Sequence, residues 1–336
     1  MARPSPIVAM LRSRAAGDDE LFYSIALQQA ASEARQGRRE VADEIRAAVE
    51  LARAEAGLDD RGGQTVAVSF NKPRGDLATL LELRTPAVAL KDVVLSADVR
   101  ERLDEVVRQQ SKRTWLREHG RAPHRTLLFV GPPGSGKTMT AEALAKALRL
   151  PLQVIRLDAV ITRYMGETAT KLRLVFDEIH RRRAVYLFDE FDAIGADRGA
   201  SNDVAEMRRV LNSFLQFLEE PSETDSVVIG ATNYPKLLDR ALLRRFDFVI
   251  AFEPPTKDDV RAVVLNHIVP MKPSRVAWTK VAAAAAGLSQ AEIARAANDA
   301  VKTAILDQRR SIRTDDLISQ LETRQSMRDV LIQSRR

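Results

Sequence analysis

The residues Gly131-Pro132-Pro133-Gly134-Ser135-Gly136-Lys137-Thr138 follow the pattern G-x-x-x-x-G-K-[ST], between an apolar run, Thr126 to Val130, and a helical pattern that begins near Met139. A strand, a glycine-rich loop and a helix in that order make a phosphate cradle. The glycines let the backbone curl, so that successive N–H groups point inward at phosphate oxygens. The following helix sets the positive end of its dipole under the same phosphates. Lys137 is expected to reach the β- and γ-phosphates, and the Thr138 hydroxyl to hold Mg²⁺. From this loop the nucleotide contacts are expected to be Pro133, Gly134, Ser135, Gly136, Lys137, Thr138 and Met139.

A second group of residues supplies the chemistry. Tyr186-Leu187-Phe188-Asp189-Glu190 reads as an apolar strand that ends in two carboxylates. Side chains alternate along a strand and the chain turns at its end, so the two acids are free to do different work. Asp189 is expected in the Mg²⁺ shell, and Glu190 as the general base that polarises the attacking water. Ser226-Val227-Val228-Ile229-Gly230-Ala231-Thr232-Asn233 ends a further buried strand in an amide. Ligands of parallel sheets sit at the carboxyl ends of the strands, so Asn233 is expected to position water or touch the γ-phosphate.

The elements that must position these groups follow from the apolar pattern. Strands are expected at Thr126–Val130, Leu152–Leu157, Val185–Phe188, Ser226–Ala231 and Phe248–Phe252, alternating with helical segments. That alternation predicts an α/β fold, a parallel sheet with helices on both faces. After Pro254-Pro255 the pattern is wholly helical, over Lys257–Ile268, Thr279–Ala286, Ala291–Arg309 and Thr314–Glu322, which predicts a C-terminal all-helical lid. Asp18 to Ala56 reads as two helices broken near Gly37, an N-terminal helical hairpin. The expected division is residues 1–62 for the hairpin, 63–89 for a linker with possible strands (including the apolar run Thr65 to Phe70), 90–254 for the α/β domain and 255–336 for the lid and tail.

Composition narrows the classes. The 336 residues hold no cysteine, which excludes disulfides and thiolate metal sites, and none of the four histidines lies in H-E-x-x-H. No apolar run reaches membrane-spanning length and the first residues lack the apolar core of a secretory signal, so no membrane partner and a cytoplasmic location are expected. The net charge of +6 is spread along helices beside glutamates, the pattern of solvated faces.

The motifs resemble those of the AAA ATPases with one ATPase module per subunit, over roughly Leu90 to Leu321. The resemblance rests on the Gly131–Thr138 loop, the Leu187–Glu190 strand end, the Gly230–Asn233 strand end and the segment Leu238 to Asp247. It implies a P-loop sheet in the order 5-1-4-3-2, ATP and Mg²⁺ as cofactors, and a homo-oligomer, usually a hexamer. Asn233 matches the residue called sensor 1. Arg244-Arg245-Phe246-Asp247 matches the arginine-finger region, where many members read R-x-G-R-F-D; here the two arginines are adjacent. Arg245 aligns best with the finger next to Phe-Asp, and Arg244 stands in for its companion. Asp92-Val93-Val94 matches the segment whose backbone frames the adenine. Gly287-Leu288-Ser289-Gln290-Ala291-Glu292-Ile293 resembles the lid motif G-F-S-G-A-D-I, which in the family lies near the nucleotide base and ribose, so the resemblance implies nucleotide contacts at Gly287 and Ala291, the latter standing where other branches carry the sensor-2 arginine.

Tyr164-Met165-Gly166 resembles the aromatic–hydrophobic–glycine pore loop of protein-translocating members, although the severing branch usually carries tryptophan at the Tyr164 position. An aromatic beside a flexible glycine grips many side chains without reading sequence. A second pore loop is expected near Asp197 to Asp203. The leading expectation is a motor that remodels or threads proteins, with the hairpin as a substrate or adaptor dock. Two others stay open: a nucleic-acid-associated ATPase of loader or helicase type, and an ATP-gated scaffold. The former would need a DNA-binding unit or an aromatic-studded basic face. The sequence displays neither, so nucleic acid is not expected as the direct substrate.

Overall fold

The computed structural model describes residues 75–161, 165–191, 201–222, 224–234 and 243–333, together with 25–27, 29–30, 32–33, 38, 41–45 and 47–49. Two compact units divide the chain, Met1–Asn71 and Lys72–Arg336. In the first, residues 25–27, 29–30, 32–33, 41–45 and 47–49 are helical. Ala26, Ala30, Ala42 and Val49 are buried there, and Arg38 pairs with Glu33 at 2.8 Å. The run Thr65 to Phe70 lies outside the described residues.

The second unit is built on a six-stranded sheet: β1 Leu81–Arg84, β2 Thr126–Val130, β3 Leu152–Ile155, β4 Val185–Phe188, β5 Val227–Thr232 and β6 Phe248–Ala251, in the order β1-β3-β4-β5-β2-β6. The five strands β2 to β6 are parallel and fall in the expected 5-1-4-3-2 order. The addition is β1, which lies in the segment expected as a linker with possible strands and joins the sheet as a sixth strand. It pairs antiparallel with β3, Leu81 opposite Ile155 and Arg84 opposite Leu152, and makes the sheet mixed. Its Leu-Glu-Leu-Arg sequence is too short and too charged to announce a strand.

Both faces are covered, as the unbroken apolar strands require. On one face Leu127, Phe129, Val154 and Leu187 pack under Val99, Leu103 and Val106 of α1 (Ala97–Ser111), with Leu144 of α3 (Lys137–Leu148). In the sequence α2 (Arg113–Glu118) follows α1. On the other face Leu128, Tyr186 and Phe188 pack under Leu172 and Phe176 of α4 (Met165–Arg181), with Phe214 and Leu218 of α5 (Ser201–Glu219).

The helices α6 (Lys257–His267), α7 (Trp278–Ala284), α8 (Gln290–Leu306) and α9 (Thr314–Gln333) share a separate core around Val264, Val281, Ile293, Ala297 and Leu321. A small parallel pair, β7 (Lys272–Pro273) and β8 (Ser311–Ile312), ties their connections together. Capping boxes start two of these helices: Thr256 with Asp259 for α6, Ser289 with Glu292 for α8. Each satisfies two orphan N–H groups. The second fixes where α8 begins, and that start borders the site.

Candidate nucleotide site

Strand β2 delivers its chain to Gly131, where a Cβ would lie 2.5 Å from the Phe252 carbonyl oxygen, so no larger residue fits. The loop then enters α3 through Gly136, left-handed at φ +93° and without a side-chain cap. The first N–H groups of α3 are thereby left for an external acceptor, and an anion is the natural one. Lys137, 7% exposed, turns back over the loop. Its ammonium donates to Gly131 O at 2.8 Å, Pro132 O at 2.9 Å and Asn233 Oδ1 at 2.8 Å. Thr138 Oγ1 donates to Asp189 Oδ2 at 2.7 Å, which joins the loop to the end of β4.

The two acids are pinned from both sides. Asp189 Oδ1 accepts the Glu190 N–H at 2.9 Å, and Phe191 N donates to Ala231 O at 2.8 Å. Phe191 is fully buried and packs on Phe214 at a ring separation of 4.7 Å. Between these anchors Glu190 adopts φ +50°, a conformation that costs a non-glycine residue about 1 kcal/mol or more. Burial of Phe191, about 2 kcal/mol, offsets that strain. The turn leaves the Glu190 side chain exposed and Asp189 half-buried.

The cavity above this floor holds about 400 Å³. The core contributes Pro133, Gly134, Gly136, Lys137, Thr138, Met139, Asp189, Glu190 and Asn233, with Asp92 and Val94 at one end. The lid helices contribute Val263, Asn266 and His267 from α6, and Gln290, Ala291 and Ala294 from α8. Direct hydrogen bonds join the two walls. Ala291 N donates to Gly134 O at 3.0 Å, Asn266 Nδ2 to Asp92 O at 3.1 Å and Gln290 Nε2 to Val94 O at 3.3 Å.

The expected residues therefore divide. Ser135 is buried beneath the loop, its hydroxyl 3.5 Å from Lys137 Nζ. Val93 is 1% exposed and gives its carbonyl to Arg100 at 3.0 Å, while its neighbours Asp92 and Val94 line the cavity. Gly287 is not brought to the cavity: it lies under the Arg328 guanidinium, whose Nη1 is 2.8 Å from where a Cβ would stand. Arg244 and Arg245 also lie away from it, exposed between α5 and β6, with Arg245 paired to Glu219. Tyr164 and the stretch 197–200 lie outside the described residues, and of Met165 only the backbone is described, as is the case for residues 201–203. The helix α4 begins at Met165, so Met165 and Gly166 open a helix rather than continue a loop.

Sequence reasoning missed the lid residues Asn266, His267 and Gln290. The signal was present as polar side chains at the ends of amphipathic helices facing the Gly131–Thr138 loop. It also missed the anchor role of Asp247. Asp247 Oδ2 accepts from Arg125 N at 2.8 Å, Thr126 N at 2.9 Å and Thr126 Oγ1 at 2.9 Å, sealing the start of β2.

A second cavity of about 730 Å³ reaches Asp189 and Glu190 from the side of β1, with Glu82, Arg84, Arg156 and Asp158 on its walls. The Arg84 hydrogen bond holds the Glu82 carboxyl below its ordinary value.

The uncapped helix start, close-packed glycines and inward-facing lysine fit a polyphosphate. The Thr138 and Asp189 oxygens fit Mg²⁺, a cation that keeps its remaining ligands as phosphate and water. Fold and site define a nucleoside triphosphatase of the P-loop class.

Residues 127–254 match the family described as "ATPase family associated with various cellular activities (AAA)". The chain is 32% identical over 320 residues to "Uncharacterized AAA family ATPase y4kL" of Sinorhizobium fredii, an alignment covering 94% of this chain and 93% of that one. It is 34% identical over 242 residues to the "ATP-dependent zinc metalloprotease FtsH" of Lancefieldella parvula, across 70% of this chain but only 37% of that protein's length. Among solved structures, the FIGL-1 AAA domain superposes with a TM-score of 0.60 at 20% identity, covering 77% of this chain and 92% of that one, and carries the same fold. The chain belongs to the AAA family; it is an ATPase that hydrolyses ATP with Mg²⁺. No helix among the described residues is long and apolar enough to cross a membrane.

Proposed function

We propose that the protein is a ring-forming motor, a hexamer, that uses ATP hydrolysis to remodel or thread protein substrates. The observation that carries this reading is the shared wall of the nucleotide cavity. Core and lid meet there through Ala291 and Gly134, Asn266 and Asp92, and Gln290 and Val94. A change in the phosphates beneath Gly134 would thus alter the angle between residues 90–254 and the lid, 255–336. In a ring such lid movements would pass from subunit to subunit.

Within this reading Thr138 and Asp189 hold Mg²⁺, Glu190 polarises the water and Asn233 orients it. Arg244 and Arg245 reach the γ-phosphate of the neighbouring subunit. Tyr164, Met165 and Gly166 grip substrate in the pore, and residues 1–62 dock a substrate or adaptor. Tyr164 precedes α4 in the sequence, and α4 ends at Arg181, three residues before the Ala184 that precedes β4, so the gripping residues and the acid pair lie on one continuous segment.

The test offers the protein a fluorescent β-barrel protein with an unstructured tail and follows ATP-dependent loss of fluorescence. The variant Tyr164→Ala should keep its basal ATPase and lose this unfolding. Unfolding at the wild-type rate by the variant would refute the pore-loop assignment.

A further inference from the structure

Thr85 to Ala89 leave β1 as a strap that forms neither strand nor helix, so its backbone groups must be satisfied from outside. Pro86 has no N–H to give. The next two N–H groups go to one side chain: Glu142 Oε1 of α3 accepts from Ala87 N at 2.8 Å and from Val88 N at 3.2 Å. Lys146, one turn further along α3, donates to the Ala87 carbonyl oxygen. A carboxylate and an ammonium four residues apart thus clasp one short stretch of backbone, through hydrogen bonds of the strong, charge-assisted kind.

The strap is held again farther on. Leu90–Asp92 form a single 3₁₀ turn, and the Arg100 guanidinium of α1 bridges it, donating to Leu90 O at 3.4 Å and to Val93 O at 3.0 Å. Between and just past these anchors Asp92 and Val94 line the nucleotide cavity, and their carbonyls receive Asn266 and Gln290 from the lid. The charged and hydroxyl groups of the cavity, Lys137, Thr138, Asp189 and Glu190, suit phosphates and Mg²⁺. That leaves the wall of Asp92, Val94 and the lid helices for the ribose and base.

We propose that Glu142 is a positioning residue for the nucleoside half of ATP. Thr138, Glu142 and Lys146 are spaced by four and lie along one stripe of α3. The first turn of that helix serves the phosphates, and Glu142 holds the strap roughly 6 Å further along the axis. One helix therefore sets the distance between the phosphate cradle and the wall against which the nucleoside packs. Glu142 itself does not line the cavity. It acts through residues 87–94: releasing them lowers the fraction of chains in which the wall is formed, and apparent affinity falls by that fraction. The proposal rests on the ATP site alone and stands whether or not the chain threads protein.

The test compares ATP with inorganic tripolyphosphate, which shares the cradle and lacks the nucleoside, on the full-length chain with Mg²⁺. Glu142→Ala should raise KM and Kd for ATP about five- to tenfold. It should leave kcat and the inhibition constant of tripolyphosphate unchanged, the mark of binding lost equally from ground and transition states. Glu142→Gln keeps the accepting oxygen and should recover most of the loss. Arg100→Ala frees the same strap from α1 and should reproduce the split; it carries the test if Glu142→Ala does not fold. The double variant should cost less than the product of the two, because both act on one element. Equal losses for ATP and tripolyphosphate would place the influence of Glu142 in the phosphate loop and overturn the proposal. Unchanged ATP affinity in both variants, or a fall confined to kcat, would overturn it too. So would tripolyphosphate that does not compete with ATP on the wild type, since cradle and wall would then not act separately.

Discussion

The Lys137 ammonium and the Asn233 side-chain oxygen are 2.8 Å apart, so the loop after β2 and the strand end of β5 are joined by one charge-assisted hydrogen bond. The strands themselves are neighbours in the sheet, Val130 opposite Thr232. The bond therefore spans the floor on which the γ-phosphate is expected to rest.

That arrangement separates two roles. Lys137→Ala should abolish ATP binding, because no other side chain there supplies a phosphate-directed charge on the loop. Asn233→Ala should leave binding within a few-fold of wild type and slow hydrolysis on the order of 100-fold. Equilibrium binding of a fluorescent ATP analogue and steady-state hydrolysis distinguish them. An equal loss of binding in both variants would reduce Asn233 to a support for Lys137.

Glu190→Gln keeps the shape of the φ +50° turn and the Phe191 anchor beneath it. The amide can still hydrogen-bond water but cannot take its proton. Binding should persist while turnover falls by roughly 10²–10⁴. Asp189→Asn should instead raise the Mg²⁺ concentration needed for activity, since its carboxylate is the one joined to Thr138. A Mg²⁺ titration of both variants reads the difference.

Legibility differed sharply between the parts of this molecule. Strands β2, β4 and β5 were plain because each is an unbroken apolar run buried on both faces. The loop was plain because its glycines and Lys137 have no common structural substitute. Strand β1 was not, because half of its four residues are charged and face outward, Glu82 bonded to Arg84. Asn266 and Gln290 were hidden for another reason: a polar residue on an amphipathic helix reads as solvent-facing until a second body is packed against it. Asp247 carried a suggested motif but no hint that its carboxylate closes the start of β2, a contact across 121 residues of sequence.

Gly134 has φ +74°, and a Cβ there would stand 2.7 Å from Ser289 Oγ and 3.2 Å from the Ala291 Cβ. Gly134→Ala therefore strains the loop and pushes on the start of α8 together. ATP affinity should fall at least tenfold while the melting temperature changes little, because the contact joins core to lid rather than closing either hydrophobic core. Affinity and a melting curve with and without nucleotide check this. Unchanged affinity would show that lid contact at Gly134 has no part in nucleotide capture.

Asp247→Ala leaves the Arg125 and Thr126 N–H groups without their acceptor. An unsatisfied, partly buried donor costs about 1–3 kcal/mol, so a loss of about 2 kcal/mol is expected by chemical denaturation. Asp247→Asn keeps one acceptor oxygen and should recover part of it. Equal destabilisation by the two variants would mean that the carboxylate charge, and not its acceptor geometry, holds β2.

The same anchor bears on Arg245. Thr126 Oγ1 donates to Arg245 O at 3.4 Å, so this arginine leaves the backbone at the start of β2, while Gly131 lies just past the strand's end. Five residues of strand span roughly 17 Å, beyond the reach of one side chain, so Arg245 cannot serve the cavity of its own chain in this geometry. Its pairing with Glu219 holds it outward on that edge. Any part it plays in hydrolysis must then be played in another subunit. Arg245→Ala should leave ATP binding intact and reduce hydrolysis by on the order of 10³. Mixing it with wild type supplies the decisive measurement. If sites are shared, a wild-type subunit beside the variant loses its turnover, and activity falls faster than the wild-type fraction. Glu219→Gln should give a milder loss through the freed guanidinium. Activity strictly proportional to wild-type subunits would mean that each chain works alone, and the motor would lose its coupling.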